Sequence, residues 1–266
     1  MNIGVDLHIH PLAERIPDNP LGAHARKIVE DRAKTFVKAA SDVGLSAIAV
    51  TDHNTTVSVG PAQEAGKEYG VEIVPGVEIT LPHMPHLLVY YPDMDEITAD
   101  LADGTFREKS DSILNGLRKH SGHSETHLWE VEGYDRTITK IIELISSYHG
   151  VIVQAHPQLD LRSHNTLIDP EAELDWTRHL TRILINAGIR GVEAYTPRHS
   201  RNALSDLVTT LDSRNMIMAG GSDAHSPDEV GRIYFFPDKD IIRIDYNVVE
   251  QLRNARESIL MGKSWQ

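Results

Sequence analysis

Short apolar runs recur along the chain at Ile3–Ile9, Ala47–Val50, Val71–Ile79, Leu87–Tyr91, Val151–Ala155, Gly191–Tyr195 and Met216–Ala219. Each has strand length and is bounded by polar or turn-forming residues, which predicts strands buried on two faces. Between most of them the apolar positions change to a helical period. Val29, Ala33, Phe36, Val37 and Ala40 form one stripe, Ile138, Ile141, Ile142 and Ile145 a second, and Leu204, Leu207, Val208 and Leu211 a third. Val248, Leu252, Ala255 and Ile259 predict a closing helix. The punctuation agrees: Gly44 and Gly150 stand where helical patterns stop, Pro61 suits a first helical turn, and Asp135 is placed as an N-cap. This is an α/β pattern. Strands alternating with helices favour a parallel sheet covered by helices, and these strands suit a small barrel better than an open sheet.

One stretch breaks the alternation. Asp93, Asp95, Glu96, Asp100 and Asp103 precede a polar segment of helical character, so residues 93–133 read as a mostly helical insertion after the fourth strand, with a solvated acidic run. No repeat or linker divides the chain, and residues 1–266 read as one domain.

Chemistry gathers just past the apolar runs. In parallel α/β architectures the carboxyl ends of the strands converge on one face. The first strand ends His8-Ile9-His10, and period-two geometry points both imidazoles the same way, as two ligands of one metal must be. The second ends Thr51-Asp52-His53, the third Gly76-Val77-Glu78, the fifth Ala155-His156-Pro157 and the seventh Ser222-Asp223-Ala224-His225, while the fourth begins at His86. A lone strand-end histidine is more often a hydrogen-bonded turn residue than a ligand. Six strand termini carrying such groups are not explained that way. Composition narrows the choice: there is no Cys, so no thiolate site or disulfide framework, while 15 His and 39 Asp+Glu suit a metal held through nitrogen and oxygen.

The segments DLHIH, AVTDHN, PGVEI, HLLVYY, QAHP and GGSDAHSP, in this order, resemble the polymerase-and-histidinol-phosphatase (PHP) family of metal-dependent phosphoesterases. The resemblance spans nearly the whole chain and implies a distorted (β/α)7 barrel with two or three divalent ions, Mn, Fe or Zn. It implies that His8, His10, Glu78 and Asp223 hold one ion, that Glu78 bridges to a second held by His86 and His156, and that His53 and His225 serve a third. Members carry a further Asp or His in a short turn after the H-x-H; here Pro11 to Pro20 is longer and lacks that turn, and Asp18 is the candidate for that ligand, with Glu14 as the alternative. The insertion also lacks an Arg-Pro-His stretch expected of nucleotide-hydrolysing members.

Such a site favours a phosphoester. Three carboxylates, Asp18, Glu78 and Asp223, against three divalent ions leave a formal +3 inside a chain whose net charge is −13. Metal activation of water to hydroxide then needs no protein nucleophile, and neither a G-x-S-x-G elbow nor a phosphate-cradling glycine loop is present. Arg198 and His199, past the sixth strand, are placed either to bind the phosphoryl group and protonate the leaving oxygen or to stand in a solvated loop, and Asp52 either to orient an imidazole or to cap its turn. Arg162, Arg232 and His83 are weaker phosphate contacts.

The expected substrate is a small phosphorylated metabolite or nucleotide, since the acidic balance disfavours duplex nucleic acid. The alternatives are an amidohydrolase acting on a C–N bond, which would call for a metal-bridging Lys at a strand end, or a non-catalytic metal-binding accessory module. No apolar run approaches the roughly 20 residues of a membrane span and the first ten residues are too polar for a signal peptide, so a cytoplasmic protein without membrane contact is expected. The oligomeric state is left open.

Overall fold

The computed structural model describes residues 4–12, 23–81, 84–93, 104–118, 133–157, 170–196, 216–235, 240–241 and 244–263. The elements in chain order are β1 (Gly4–Ile9), α1 (Ala23–Asp42), β2 (Leu45–Val50), α2 (Val59–Tyr69), β3 (Glu72–Ile79), β4 (Leu87–Tyr90), α3 (Gly104–Arg118), α4 (Tyr134–Ser146), β5 (Val151–Gln154), α5 (Pro170–Ala187), β6 (Gly191–Tyr195), β7 (Ile217–Gly220), β8 (Tyr234–Phe235), β9 (Asp240–Ile241), β10 (Ile244–Asp245) and α6 (Asn247–Leu260). Every apolar run of the sequence became a strand. Pro61 falls in the first turn of α2, as expected.

Eight strands form one nearly closed sheet in the order β10-β1-β2-β3-β4-β5-β6-β7. β10 runs antiparallel beside the start of β1, pairing Gly4 with Asp245 and Val5 with Ile244. At the other end β7 reaches β1 directly: His10 N–H donates to Ala224 O at 2.8 Å. Gly221 permits this approach, because a Cβ there would lie 2.3 Å from the Cβ of His8. The glycine pair before Asp223 therefore does more than form a tight turn.

The sheet is not wholly parallel, contrary to the expectation from its pattern. β4 is antiparallel to both β3 and β5. The connection from Thr80 to His86 is too short for a parallel crossover, which takes roughly a dozen residues or more, so the chain must turn back on itself. That reversal has a consequence for the chemistry. The start of β4 lies at the same rim as the ends of the other strands, which is why His86 precedes its strand whereas the other candidate ligands stand at or past the carboxyl ends of theirs.

Three apolar clusters hold the layers together. Val5, Leu7, Ala47, Val74, Tyr90, Val153 and Ala219 join Val249 and Leu252 of α6 in an inner cluster. Ile48, Val50 and Ile73 pack outward on α1 and α2 through Ala33, Phe36, Ala62 and Ala65. Val77, Leu87, Val89, Ile152 and Val192 pack on the other side against Phe106 and Leu114 of α3, Ile138, Ile141, Ile142 and Ile145 of α4 and Leu184 of α5. The described part of the insertion thus contributes core through α3, while the acidic run beyond Asp93 lies outside the described residues.

Two details of punctuation differ from the sequence reading. Asp135 lies inside the first turn of α4, and Gly133, in a left-handed conformation, takes the N-cap position. Past α4, His149 adopts the positive φ of 59°. Gly150 serves packing instead, since a Cβ there would stand 2.3 Å from Val89 Cγ1 and 2.8 Å from the Tyr91 ring.

Candidate metal centre

At the carboxyl rim the strands deliver His8, His10, His53, Glu78, His86, His156, Asp223 and His225 to one place. Glu78, fully buried, is its centre. Its Oε1 lies 3.0 Å from His86 Nδ1 and 3.0 Å from His156 Nε2, and its Oε2 lies 2.7 Å from His53 Nδ1, 3.4 Å from His10 Nε2 and 3.6 Å from His8 Nε2. Asp223 Oδ1 is 3.1 Å from His10 Nε2, 3.6 Å from His8 Nε2 and 3.7 Å from His225 Nδ1. The H-x-H expectation holds in space, with the His8 and His10 ring centroids 4.8 Å apart.

Among the described residues, three groups gather with potential ligand atoms within 4.8 Å of one another: His8, Glu78 and His156; His8, His10 and Asp223; and His10, His53 and His225. His86 stands outside these groups but touches the shared carboxylate. His53 and His225 converge on His10, whereas Asp18 and Glu14 lie outside the described residues.

The donor set fits divalent cations. His8 Nε2, both ring nitrogens of His10, His53 Nδ1 and Glu78 Oε2 are buried without a well-aligned hydrogen bond. Native interiors pair nearly all buried polar atoms, and each orphan costs about 1–3 kcal/mol. His8 Nε2, His10 Nε2 and His53 Nδ1 among them face Glu78 Oε2, which is what a nitrogen-and-oxygen cage for a cation leaves in the protein's own bonding.

Electrostatics divide the imidazoles. Burial holds His10 down to about 3, so its imidazole is neutral at any ordinary pH. Burial also opposes the imidazolium of His8, yet Glu193 and Glu78 together outweigh it and lift its pKa well above the usual histidine value. Glu78 is likewise opposed by burial but held well below the carboxylate range by the charge of His8 and by contacts from His156, His53 and His8.

The family model of the PHP domain matches residues 29–194, and that of the PHP-associated region matches residues 209–256. The chain belongs to the PHP family. The first match contains His53, Glu78, His86 and His156, and the second contains Asp223 and His225. Among solved structures, a proposed metal-dependent phosphoesterase from Bifidobacterium adolescentis is similar with a TM-score of 0.58 and 18% identity over 95% of this chain and 96% of that one. An amidohydrolase from Chromobacterium violaceum is similar with a TM-score of 0.55 and 17% identity over 94% and 96%. At these identities the likeness is one of fold. No curated protein matches the chain.

Around the ligand ring of this PHP protein stand three buried carboxylates. Asp52 Oδ1 accepts from Leu12 N–H at 2.7 Å and its Oδ2 accepts from the Ser58 hydroxyl, ties that anchor the loops after β1 and β2. Burial pushes its carboxyl up to about 6 against those bonds. Asp6 accepts from Ser222 N–H (2.9 Å), the Ser222 hydroxyl (2.6 Å), Gly231 N–H (2.8 Å) and His8 N–H (3.3 Å), fastening the Asp223 loop to β1. Asp6 is thus a structural residue of the rim. The third, Glu193, escaped the sequence reading, which took Gly191–Tyr195 simply as an apolar run. A single carboxylate inside a buried strand was the available signal, because such a group persists only where it is paired.

Arg198, His199, Arg162 and His83 lie outside the described residues. Arg232 is placed away from the cluster: it is half exposed, pairs with Asp228 at 4.0 Å, and lines a cavity of about 350 Å3 with Val5 and Leu45 at the strands' amino ends.

Proposed function

We propose that the protein is a metal-dependent phosphoesterase that hydrolyses a small phosphorylated metabolite or nucleotide. The observation that carries this reading is the placement of Glu78. Its two oxygens face different imidazoles, Oε1 toward His86 and His156 and Oε2 toward His53, His10 and His8, so this one carboxylate would help to hold more than one cation. His8, His10, His53, Glu78, His86, His156, Asp223 and His225 would hold two or three divalent ions (Mn, Fe or Zn), with Asp18 as a further ligand. When bound, such ions acidify water toward neutrality and offset charge on phosphoryl oxygens.

The chain's own groups have distinct tasks in this scheme. Asp6 and Asp52 hold the rim loops in register. Arg198 would take a phosphoryl oxygen, and His199 would give a proton to the departing alkoxide. The chain's formal −13 favours compact substrates over nucleic acid duplexes. A C–N hydrolase with a bridging lysine finds no support among the described residues, whose lysines 27, 34, 38, 67, 109, 140 and 263 are all exposed. No helix among the described residues is long and apolar enough to cross a membrane, and we place the activity in the cytoplasm.

The test is phosphate release by metal-loaded protein across sugar phosphates, nucleotides, histidinol phosphate and short oligonucleotides, with amides as the opposing panel. Turnover of at least one small phosphoester, abolished by Asp223→Ala, is expected. Cleavage of amides alone, or tight metal retention with no turnover on any panel, overturns the reading.

A further inference from the structure

Glu193 lies at the middle of β6, 1% exposed, with Val192 before it packed into the outer helical layer. Its Oε1 is 3.0 Å from His8 Nδ1 and its Oε2 accepts from the main-chain N–H of His156 at 2.8 Å. An ionised carboxylate can only accept, so the first contact requires a proton on His8 Nδ1 and turns Nε2 toward Glu78 and Asp223. The second contact begins where the sheet stops: the β5–β6 ladder ends with Gln154 opposite Val192, and two residues on, the side chain of Glu193 takes the place of a strand partner for His156. The two imidazoles so held stack with centroids 5.7 Å apart and planes 14° from parallel. They belong to one of the three candidate ligand groups, with Glu78 as its third member.

We propose that Glu193 is a positioning residue of the metal centre, one oxygen fixing the tautomer and plane of His8 and the other the main chain at His156, so that both rings face the shared carboxylate of Glu78. This rests on the metal-dependent reading above, but not on the nature of the substrate. A glutamine at 193 can satisfy only one of the two donors, because its amide nitrogen would meet the other donor head-on. An aspartate keeps the charge but is one methylene too short to span both.

The test measures the affinity of the purified full chain for Zn or Mn alone, by competition with a chromogenic chelator. Glu193→Gln should weaken the tightest ion about 10- to 100-fold, the range expected for a group that orients a ligand histidine. Glu193→Asp should weaken it less. Val192→Ala, on the same strand, should lower the melting temperature without changing metal affinity, which separates positioning from general support of β6. If the Glu193 variants do not fold, the wild-type protein decides. In zinc-loaded protein the ring nitrogens of His8, read by 15N NMR, should show Nδ1 protonated and Nε2 coordinating. The proposal is overturned by a Glu193→Gln affinity within twofold of wild type, or by His8 protonated at Nε2. Neither readout involves turnover, so failure to find a phosphoester substrate would leave it standing, and phosphatase activity with unchanged metal affinity would remove it alone.

Discussion

The two ends of the histidine cluster are built differently. His8, Glu78 and His156 are all buried on strands or directly past them, with Glu193 bracing the pair of imidazoles from behind. His10, His53 and His225 form an outer group in which only His10 is buried, since His53 and His225 are 35% and 36% exposed. Their supports differ too: His53 leads into a loop clipped to Thr80, and His225 Nδ1 is tied to the carbonyl of Asp223 at 2.8 Å. Ligands fixed by a closed sheet give up little freedom on binding an ion, whereas ligands on loops must be ordered by it. A deep ion should therefore bind tightly and exchange slowly, and a rim ion should be looser and open to solvent and substrate.

The sharpest way to break this contrast is to remove one ligand from each end. His8→Ala should lower kcat/KM by more than the ~100-fold that marks the upper reach of changes behind the ligands. Excess metal should not restore it, because the deep group loses its geometry as well as a donor. His225→Ala should cost less, and raising the metal concentration should recover most of the loss. Metal content and steady-state rates across a metal titration check both. Equal losses with equal recovery would mean that the two ends act as one site.

A smaller effect should appear as proton linkage. His8 is held above the usual histidine pKa by Glu193 and Glu78, so at neutral pH the metal-free protein carries a proton there that an incoming ion must displace. Deep-site affinity should then rise about tenfold per pH unit below the His8 value, with on the order of one proton released per ion, measurable by calorimetry in buffers of different ionisation enthalpy. His10, neutral down to about 3, adds nothing to this competition near neutrality. The stability of the metal-free protein has the matching sign. A raised histidine pKa contributes stability fully present below the unfolded value of about 6.5 and lost as pH rises through the folded one. Affinity that does not change with pH would place the proton elsewhere.

The contrast between the ends also separates what was legible in the sequence from what was not. His8 and His10 declare themselves because period two is a local property, and a reader of strands can see which side chains share a face; Asp223 and His225 have the same spacing but lie past the end of β7, with Asp223 at a left-handed φ of 52°, so strand geometry is not what brings them together. His86 was legible as a candidate ligand but not as the mark of a reversed strand, although the short link from Thr80 to His86 carried that information. A barrel was expected, but the contacts that close it were not legible. β10 has only two residues, and the contact of Gly221 with His8 joins positions 213 apart in the chain, which no window of sequence spans. Glu193 sits between these extremes: its anomaly is local, but its partners on β1 and at the end of β5 appear only when the barrel forms.

The smallest expected effect concerns the rim alone. Asn54 follows His53 with φ at 52°, its Nδ2 donates to Thr80 O (2.9 Å) and Thr80 Oγ1 (2.6 Å), and its Oδ1 accepts from Thr80 N–H (3.0 Å). Two contributions are mixed there, the left-handed backbone and the clip to β3, and two substitutions separate them. Asn54→Gly keeps the backbone at ease but loses the clip, which at an exposed position should cost about 0.5–1.5 kcal/mol of stability. Asn54→Ala loses the clip and places a Cβ in the left-handed region, adding roughly 1–2 kcal/mol. Denaturant unfolding of the metal-free proteins reads both. On activity, each should raise the metal concentration needed for half-maximal rate a few-fold through His53 while leaving the tightest ion as it is in the wild type. A matching loss at the tightest ion would show that strain at the rim reaches His8 and His156 through Glu78, and that the deep group is not held independently by the sheet.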